Sequence, residues 1–304
     1  MVPRVILAND SSDGPMPPWS WSAVSDLIRL RNQSGTWLLM LPSLWSLVLA
    51  NQGHPPLWLV GVFAAGAFVM RSLGVVFNDL ADRNFDKHVA RTSNRPLAAG
   101  RLTPRQALLL ALGLAILATI LVSTLNLFTI LLSPVALLLA AIYPFCKRWV
   151  QIPQAMLGIA FGWGTIMAWV ASRGTIDPPA WWLFAATVCW AIAYDTIYAL
   201  QDREDDRRIG VKSSALLFGD AVPAAVGIFL VGMLVCLVTA GQLSGLGMSY
   251  YLVLALLAGI FIWQVRRLQA PMTPEGAFIM FYQHIYAGAA ILVGMWLSTF
   301  NHTP

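Results

Sequence analysis

Nine stretches of the chain are apolar for close to the length of a bilayer crossing, and each is bounded by Pro, Gly, Asn or charge. They fall near 34–51, 57–77, 105–123, 126–143, 154–171, 180–200, 220–240, 248–265 and 277–300. A membrane-spanning helix needs about 20 apolar residues, because only a helix or a closed barrel satisfies its own backbone polar groups in hydrocarbon. The pattern therefore predicts an all-α, polytopic membrane protein with nine transmembrane helices. One transmembrane domain over 1–304 is expected, with 1–33 as an N-terminal cytoplasmic segment.

Composition supports this. Hydrophobic residues make up 58% of the chain and charged residues only 11%, outside the range of ordinary soluble domains. The net charge of +5 reads as topology rather than nucleic-acid binding. With nine spans, Arg4, Arg29, Arg31, Arg83, Lys87, Arg91, Arg95, Arg101, Arg105, Lys147, Arg148, Arg203, Arg207, Arg208, Lys212, Arg266 and Arg267 share one face, while Arg173 lies in an opposite loop and Arg71 within a span. The positive-inside rule makes that face cytoplasmic. It also carries the longer loops, at about 78–104 and 201–219. Cys146, Cys189 and Cys236 are far apart and odd in number, so they read as packing residues. No cleaved signal is expected in the Pro- and Ser-containing segment before the first span.

Acidic residues are scarce and unevenly placed. Of the 14 in the chain, eight lie in two segments, NDLADRNFD from Asn78 and DTIYALQDREDD from Asp195. Carboxylates beside hydrocarbon are costly unless a cation, a partner or water compensates them. On a helix Asn78, Asp82 and Asp86, spaced by four, share one face, and so do Asp195, Asp202 and Asp206, with Tyr198 on their stripe. Two opposed rows of oxygen donors suit Mg²⁺, which keeps several waters and bridges a few carboxylates to substrate phosphates. The expected ligand is a diphosphate. A solvated ion-pair surface is the bland alternative, and Asp79, Glu204 and Asp205, off the stripes, fit that supporting role.

Cations to receive the same anion lie nearby: Lys147 and Arg148 in YPFCKR, Arg95 in NRPLAAG and Lys212 in GVKS. Arg71 stands inside a span, seven residues before Asn78 and on its face. An intramembrane Arg pairs either with a protein acid such as Asp195 or with a small anionic substrate.

Four segments, RSLGVVFNDLADRNFD from Arg71, TSNRPLAAGRLT from Thr92, YPFCKRWVQIPQAMLGIAFGWG from Tyr143 and YDTIYALQDREDDRRIGVKSSALLFG from Tyr194, resemble the UbiA-type intramembrane prenyltransferases, most closely their 4-hydroxybenzoate polyprenyltransferase branch. The resemblance implies nine helices around a central cavity open sideways to lipid. It implies Mg²⁺-dependent transfer of a polyprenyl group from polyprenyl diphosphate to the ring carbon ortho to the hydroxyl of 4-hydroxybenzoate, in ubiquinone biosynthesis. Asn78, Asp82, Asp86, Asp202 and Asp206 would then hold Mg²⁺ and diphosphate. Arg95, Lys147, Arg148 and Lys212 would neutralise phosphate oxygens, Arg71 would face the acceptor carboxylate, and Asp195 and Tyr143 would lie near the reacting centre. Phe161, Trp163 and Tyr198 are candidates for an aromatic wall, with plain helix packing as the alternative. A bacterial or mitochondrial inner membrane is the expected location, with membrane lipid as surroundings and no obligate protein partner. Near the first helix the chain departs from the family, with Asn32, Gln33 and Ser34 before GTWLL. The rival readings are another aromatic acceptor, such as a naphthoate, homogentisate or a porphyrin, and a non-catalytic isoprenoid or phospholipid carrier.

Overall fold

The computed structural model describes residues 19–89 and 91–300, without the side chains of Lys147, Ile209 and Phe300. The expectations for a signal segment and for Arg4 lie outside the described residues. Twelve α-helices follow one another: α1 Trp21–Leu27, α2 Ser34–Ala50, α3 Leu57–Asp86, α4 Pro104–Ser123, α5 Leu127–Trp149, α6 Pro153–Arg173, α7 Pro178–Ala199, α8 Arg203–Ile209, α9 Ser214–Phe218, α10 Val222–Leu243, α11 Met248–Leu268 and α12 Pro274–Phe300. Among the described residues eight helices are long and apolar enough to cross a membrane, and the shorter apolar α2 makes a ninth. The protein is an integral membrane protein.

The ends differ from the sequence expectation where polarity and helicity part company. The apolar run 57–77 marks the hydrocarbon crossing, but α3 continues to Asp86, so Asn78, Asp82 and Asp86 ride on an unbroken helix. Similarly α5 runs through Pro134 and Pro144 to Trp149, since a proline within a membrane helix removes one hydrogen bond that neighbouring groups can replace. The second acidic stripe is a correction in the other direction. Helix α7 stops at Ala199, Leu200–Asp202 form a 3-10 turn, and α8 restarts at Arg203. The tighter turn advances each residue further around the axis than an α-helix does, so Asp195, Asp202 and Asp206 do not lie on one straight row. The expected N-terminal segment and the loop 201–219 also contain short helices, α1, α8 and α9.

Local chemistry sets the starts. Thr103 and Gln106 form a reciprocal capping box at α4, with Pro104 at the first helical position. Asn126 caps α5 by accepting from the Thr129 amide, and its Nδ2 donates to the Val170 carbonyl at 2.7 Å, which fastens α5 to α6.

Lipid tails are as apolar as leucine, so these helices associate through close packing and buried hydrogen bonds rather than through escape from water. Glycine permits the closest approach: a Cβ on Gly158 of α6 would come within 2.9 Å of the Val188 Cα on α7. The largest core joins α2, α6, α7, α10, α11 and α12 around Trp45, Trp190 and Tyr194. Trp45 Nε1 donates to the Gly288 carbonyl at 2.9 Å and Trp190 Nε1 to His284 Nδ1 at 3.0 Å. A second core joins α1, α3 and α4 through Leu27, Leu73, Val76 and Ala107. The cavity lies between the two cores.

Candidate active site

The cavity encloses about 820 Å³. Most of it is apolar, lined by residues such as Ala118 and Val122 of α4, Leu137 and Ala140 of α5, and Leu157 and Phe161 of α6. One end is polar: Asn78 and Asp79 of α3, Arg91 and Arg95 of the α3–α4 connection, Asp195 and Tyr198 of α7, Asp202, Asp206 and Lys212 all line it. Asn78 and the second acidic cluster, 117 or more residues apart in sequence, therefore share one chamber.

The first cluster folds around Asp79, which was read from sequence as a supporting or solvated residue. Its carboxylate is 1% exposed, accepts from Arg29 Nη2 at 2.9 Å on both oxygens, and lies 3.2 Å from Arg95 Nη1. The same Arg95 nitrogen donates to Asp86 Oδ2 at 2.9 Å. Arg95 thus reaches the cavity while fixed by two acids. Arg29 has φ 56°, a left-handed conformation unfavourable for a residue with a Cβ. The turn sends its guanidinium back over α1, where Nη1 donates to the Asp26 carbonyl at 2.8 Å, and on to Asp79. Asp82 and Asp86 continue along α3 past Asn78 and are not part of the cavity lining.

In the second cluster Arg91 grips Asp202 with a guanidinium fork. Nε donates to Oδ1 at 2.8 Å, Nη2 donates to Oδ2, and Nη1 donates to the Tyr198 hydroxyl at 3.1 Å. The guanidinium carbon also lies 5.5 Å from the centre of the Tyr198 ring. Burial opposes the charge of Arg91, but its bonds to Asp202 outweigh that, and its pKa is held above the ordinary arginine value. Lys212 lines the cavity and donates to the Trp149 carbonyl at 2.9 Å. Arg148 is placed differently: Nη2 donates to the Ala81 carbonyl at 2.8 Å, and its guanidinium lies between the rings of Phe85 and Phe145, so it ties α5 to α3. Lys147 sits on α5, and its side chain lies outside the described residues.

Further in, Arg71, Tyr143, Tyr194 and Asp195 line the cavity. Gly35 of α2 makes room for Arg71, since a Cβ there would stand 2.1 Å from the Arg71 Nε. No carboxylate among the described residues forms a salt bridge with Arg71; Asp79 is taken by Arg29 and Arg95. The Tyr194 hydroxyl is buried without a hydrogen-bond partner among the described residues. Of the candidate aromatic walls, Phe161 and Tyr198 line the cavity, whereas Trp163 donates to the Leu132 carbonyl at 3.0 Å and packs α6 on α5.

Among the described residues no three His, Cys, Asp or Glu side chains converge to enclose a metal ion. The oxygen donors that the two clusters bring to the cavity are nevertheless carboxylates and the Asn78 carboxamide. That set fits a hard cation that completes its shell with water and phosphate oxygens, and does not fit a closed protein cage. Sequence reasoning missed Arg91 as a site residue and the central place of Asp79. Signals for both existed: Arg91 stands four residues before Arg95, and Asp79 adjoins Asn78 on the neighbouring helix face.

The UbiA prenyltransferase family model matches residues 39–299. The 4-hydroxybenzoate octaprenyltransferase of Cronobacter sakazakii is 45% identical over 272 residues, covering 90% of this chain and 93% of that protein. The Aeromonas salmonicida enzyme of the same name is 46% identical over 91% of this chain and 95% of its own length. Among solved structures, a UbiA homologue from Aeropyrum pernix superposes with a TM-score of 0.70 at 24% identity, over 88% of this chain and 98% of that one. An Archaeoglobus fulgidus homologue bound to GPP and Mg²⁺ gives 0.60 at 17% identity, over 89% and 99%. With matched segments that run from α2 to α12, this chain belongs to the UbiA prenyltransferase family.

Proposed function

We propose that the protein transfers a polyprenyl group from polyprenyl diphosphate to the ring carbon ortho to the hydroxyl of 4-hydroxybenzoate, a step of ubiquinone biosynthesis. It acts from the cytoplasmic face of a bacterial inner membrane, or the equivalent mitochondrial face, as a single domain. One observation carries the reading: a single cavity joins a polar end holding Asn78, Asp202, Asp206 and Lys212 to a long apolar body, with Arg71 facing the space between. An amphiphilic donor and a small acidic acceptor need that juxtaposition. Relatives about 45% identical over nine-tenths of the chain, named for transfer to 4-hydroxybenzoate, support the choice of acceptor.

Mg²⁺ would be held by Asn78, Asp202 and Asp206 with phosphate oxygens, and would supply positive charge against the leaving diphosphate; Asp82 and Asp86, which lie outside the cavity lining, would have to turn towards it to join them, and Asp86 would have to leave Arg95. Arg95, Lys147, Arg148 and Lys212 add to that charge, so the allylic carbon–oxygen bond breaks with its electron pair passing to the diphosphate. Arg148 would have to leave its Ala81 contact to take part. Phe161, Tyr198 and Phe281 line the space beside the allylic carbon, exclude water and offer ring faces to its charge. Arg71 receives the acceptor carboxylate as a bidentate pair and thereby aims the ortho carbon, which attacks the allylic carbon; the ring proton then passes to the released diphosphate and aromaticity is restored. Asp195 and Tyr143 contact the reacting ring.

Purified protein supplied with prenyl diphosphates and a panel of 4-hydroxybenzoate, naphthoate and homogentisate, with and without Mg²⁺, tests this. Prenylated 4-hydroxybenzoate and pyrophosphate should appear only with Mg²⁺. Turnover confined to another acceptor would replace the substrate assignment, and donor binding without pyrophosphate release would favour a carrier. Within the same assay Arg71→Ala should raise the acceptor KM by about tenfold or more while leaving the donor KM near its original value.

A further inference from the structure

The fork between Arg91 and Asp202 occupies the oxygens that a cation at the second cluster would need. Arg91 places Nε on one Asp202 oxygen and Nη2 on the other. A carboxylate held edge-on by a guanidinium offers a metal ion only its poorer, outward lone pairs, so a cation and this guanidinium compete for Asp202. The residue is also built to let go. Its backbone neighbours are anchored to the first cluster: Thr92 Oγ1 donates to the Asp86 carbonyl at 3.1 Å, and Arg95 bonds Asp86 and Asp79. Arg91 reaches from that anchored connection to the second cluster, and its side chain is 40% exposed where it lines the cavity. Swinging its long side chain requires no helix to move, and a phosphate oxygen is as good a partner for its fork as a carboxylate.

From this we infer that Arg91 is an exchangeable counter-ion: it holds Asp202 until a metal-bound diphosphate arrives, then passes to the phosphate oxygens and releases Asp202 to the cation. The inference rests on the reading of Asp202 as a metal ligand given above. Its consequence is thermodynamic. Divalent cation and diphosphate bind with positive coupling, because each favours the arrangement the other needs, and part of that coupling resides in one side chain. Cation alone binds weakly because it must displace a guanidinium without giving it a new partner.

The test is Mn²⁺ binding to the purified full chain, followed by electron paramagnetic resonance, with and without inorganic pyrophosphate. Arg91→Ala should bind Mn²⁺ alone about fivefold more tightly than the parent, the size expected for losing a partly exposed ion-pair competitor. The enhancement of Mn²⁺ affinity by pyrophosphate should shrink by a similar factor. Arg91→Gln, which keeps most of the aliphatic stem and a polar, uncharged head, should change both in the same direction and guards against a packing loss in the Ala variant. Mn²⁺ affinity equal to or weaker than the parent's in both variants would overturn the proposal, since a purely structural Arg91 predicts that result. Asp202→Asn separates this from failure of the metal reading: it should weaken Mn²⁺ binding, and unchanged binding would remove Asp202 as a ligand and the exchange with it. Loss of the Arg91 effect in the Asp202→Asn, Arg91→Ala double variant would support it.

Discussion

The two acidic clusters are written in similar residues and meet at one end of the cavity, but their carboxylates are held differently. On α3 the helix is continuous, and the carboxylates of Asp79 and Asp86 are buried against Arg29 and Arg95, which tie α1 and the α3–α4 connection to the membrane bundle. At the end of α7 the helix breaks into a 3-10 turn, and Asp202 and Asp206 stand at the cavity mouth, with Asp202 held by one partly exposed arginine. The difference teaches that spacing gives the direction of a carboxylate but not its occupation. In the first cluster Asp79 and Asp86 build the wall of the site and leave Asn78 facing the cavity; in the second, Asp202 presents exchangeable oxygen atoms to it.

The sharpest way to break that comparison is to neutralise one carboxylate in each region and follow turnover and stability separately. Asp202→Asn should lower kcat by about a thousandfold, on the scale of removing a principal charge contact to a leaving group. Its melting temperature in detergent should barely move, because the Arg91 pair is solvent-screened and worth little. A large stability loss with activity retained would mean that Asp202 is wall and not ligand.

Asp79→Asn should show the reverse order of effects. Two guanidiniums would lose a shared counter-charge that is 1% exposed. Breaking a fully buried pair costs about 3–5 kcal/mol, and because Arg29 and Arg95 keep contact with solvent the expected loss is about 2 kcal/mol. Thermal unfolding in detergent reads this directly, and turnover should fall only as far as Arg95 is misplaced. An unchanged melting temperature would contradict the role of Asp79 as the hub.

How much of this was legible beforehand follows from the same contrast. Apolar length gave the helices that can cross, eight long ones and the shorter α2 among the described residues, since hydrocarbon leaves the backbone few alternatives, and the gathering of acids in two segments pointed to one chamber. What could not be read was pairing between distant residues. Nothing in the spacing of Arg29 or Arg91 says which acid each meets, because those partners are 50 and 111 residues away. Nor does composition reveal the 3-10 turn at Leu200–Asp202, where QDRED has no proline or glycine to mark a break. Trp163 was eligible for the wall by type, and only the packing of α5 on α6 turns it away.

The smallest expected effect probes the inner end of the α3 wall through a residue that carries no chemistry. Gly35 lies in α2, and a methyl group there would meet the Arg71 Nε at 2.1 Å. Since the obstacle is the flexible end of a side chain rather than backbone, Gly35→Ala is tolerated by the fold. The exchange itself favours a helix, by less than the about 0.5–1 kcal/mol of a helix interior because Gly35 is the second residue of α2. Stability should therefore hold or rise slightly, while Arg71 is pushed out of the position in which it receives the acceptor. A displaced bidentate contact weakens binding without abolishing it, so the acceptor KM should rise by a few-fold, less than in Arg71→Ala, with the donor KM unmoved. Gain of stability with loss of acceptor affinity is a pairing that general damage to the bundle does not produce. If acceptor and donor KM instead rise together, Gly35 is serving helix packing alone, and the Arg71 position depends on something other than the space this glycine leaves.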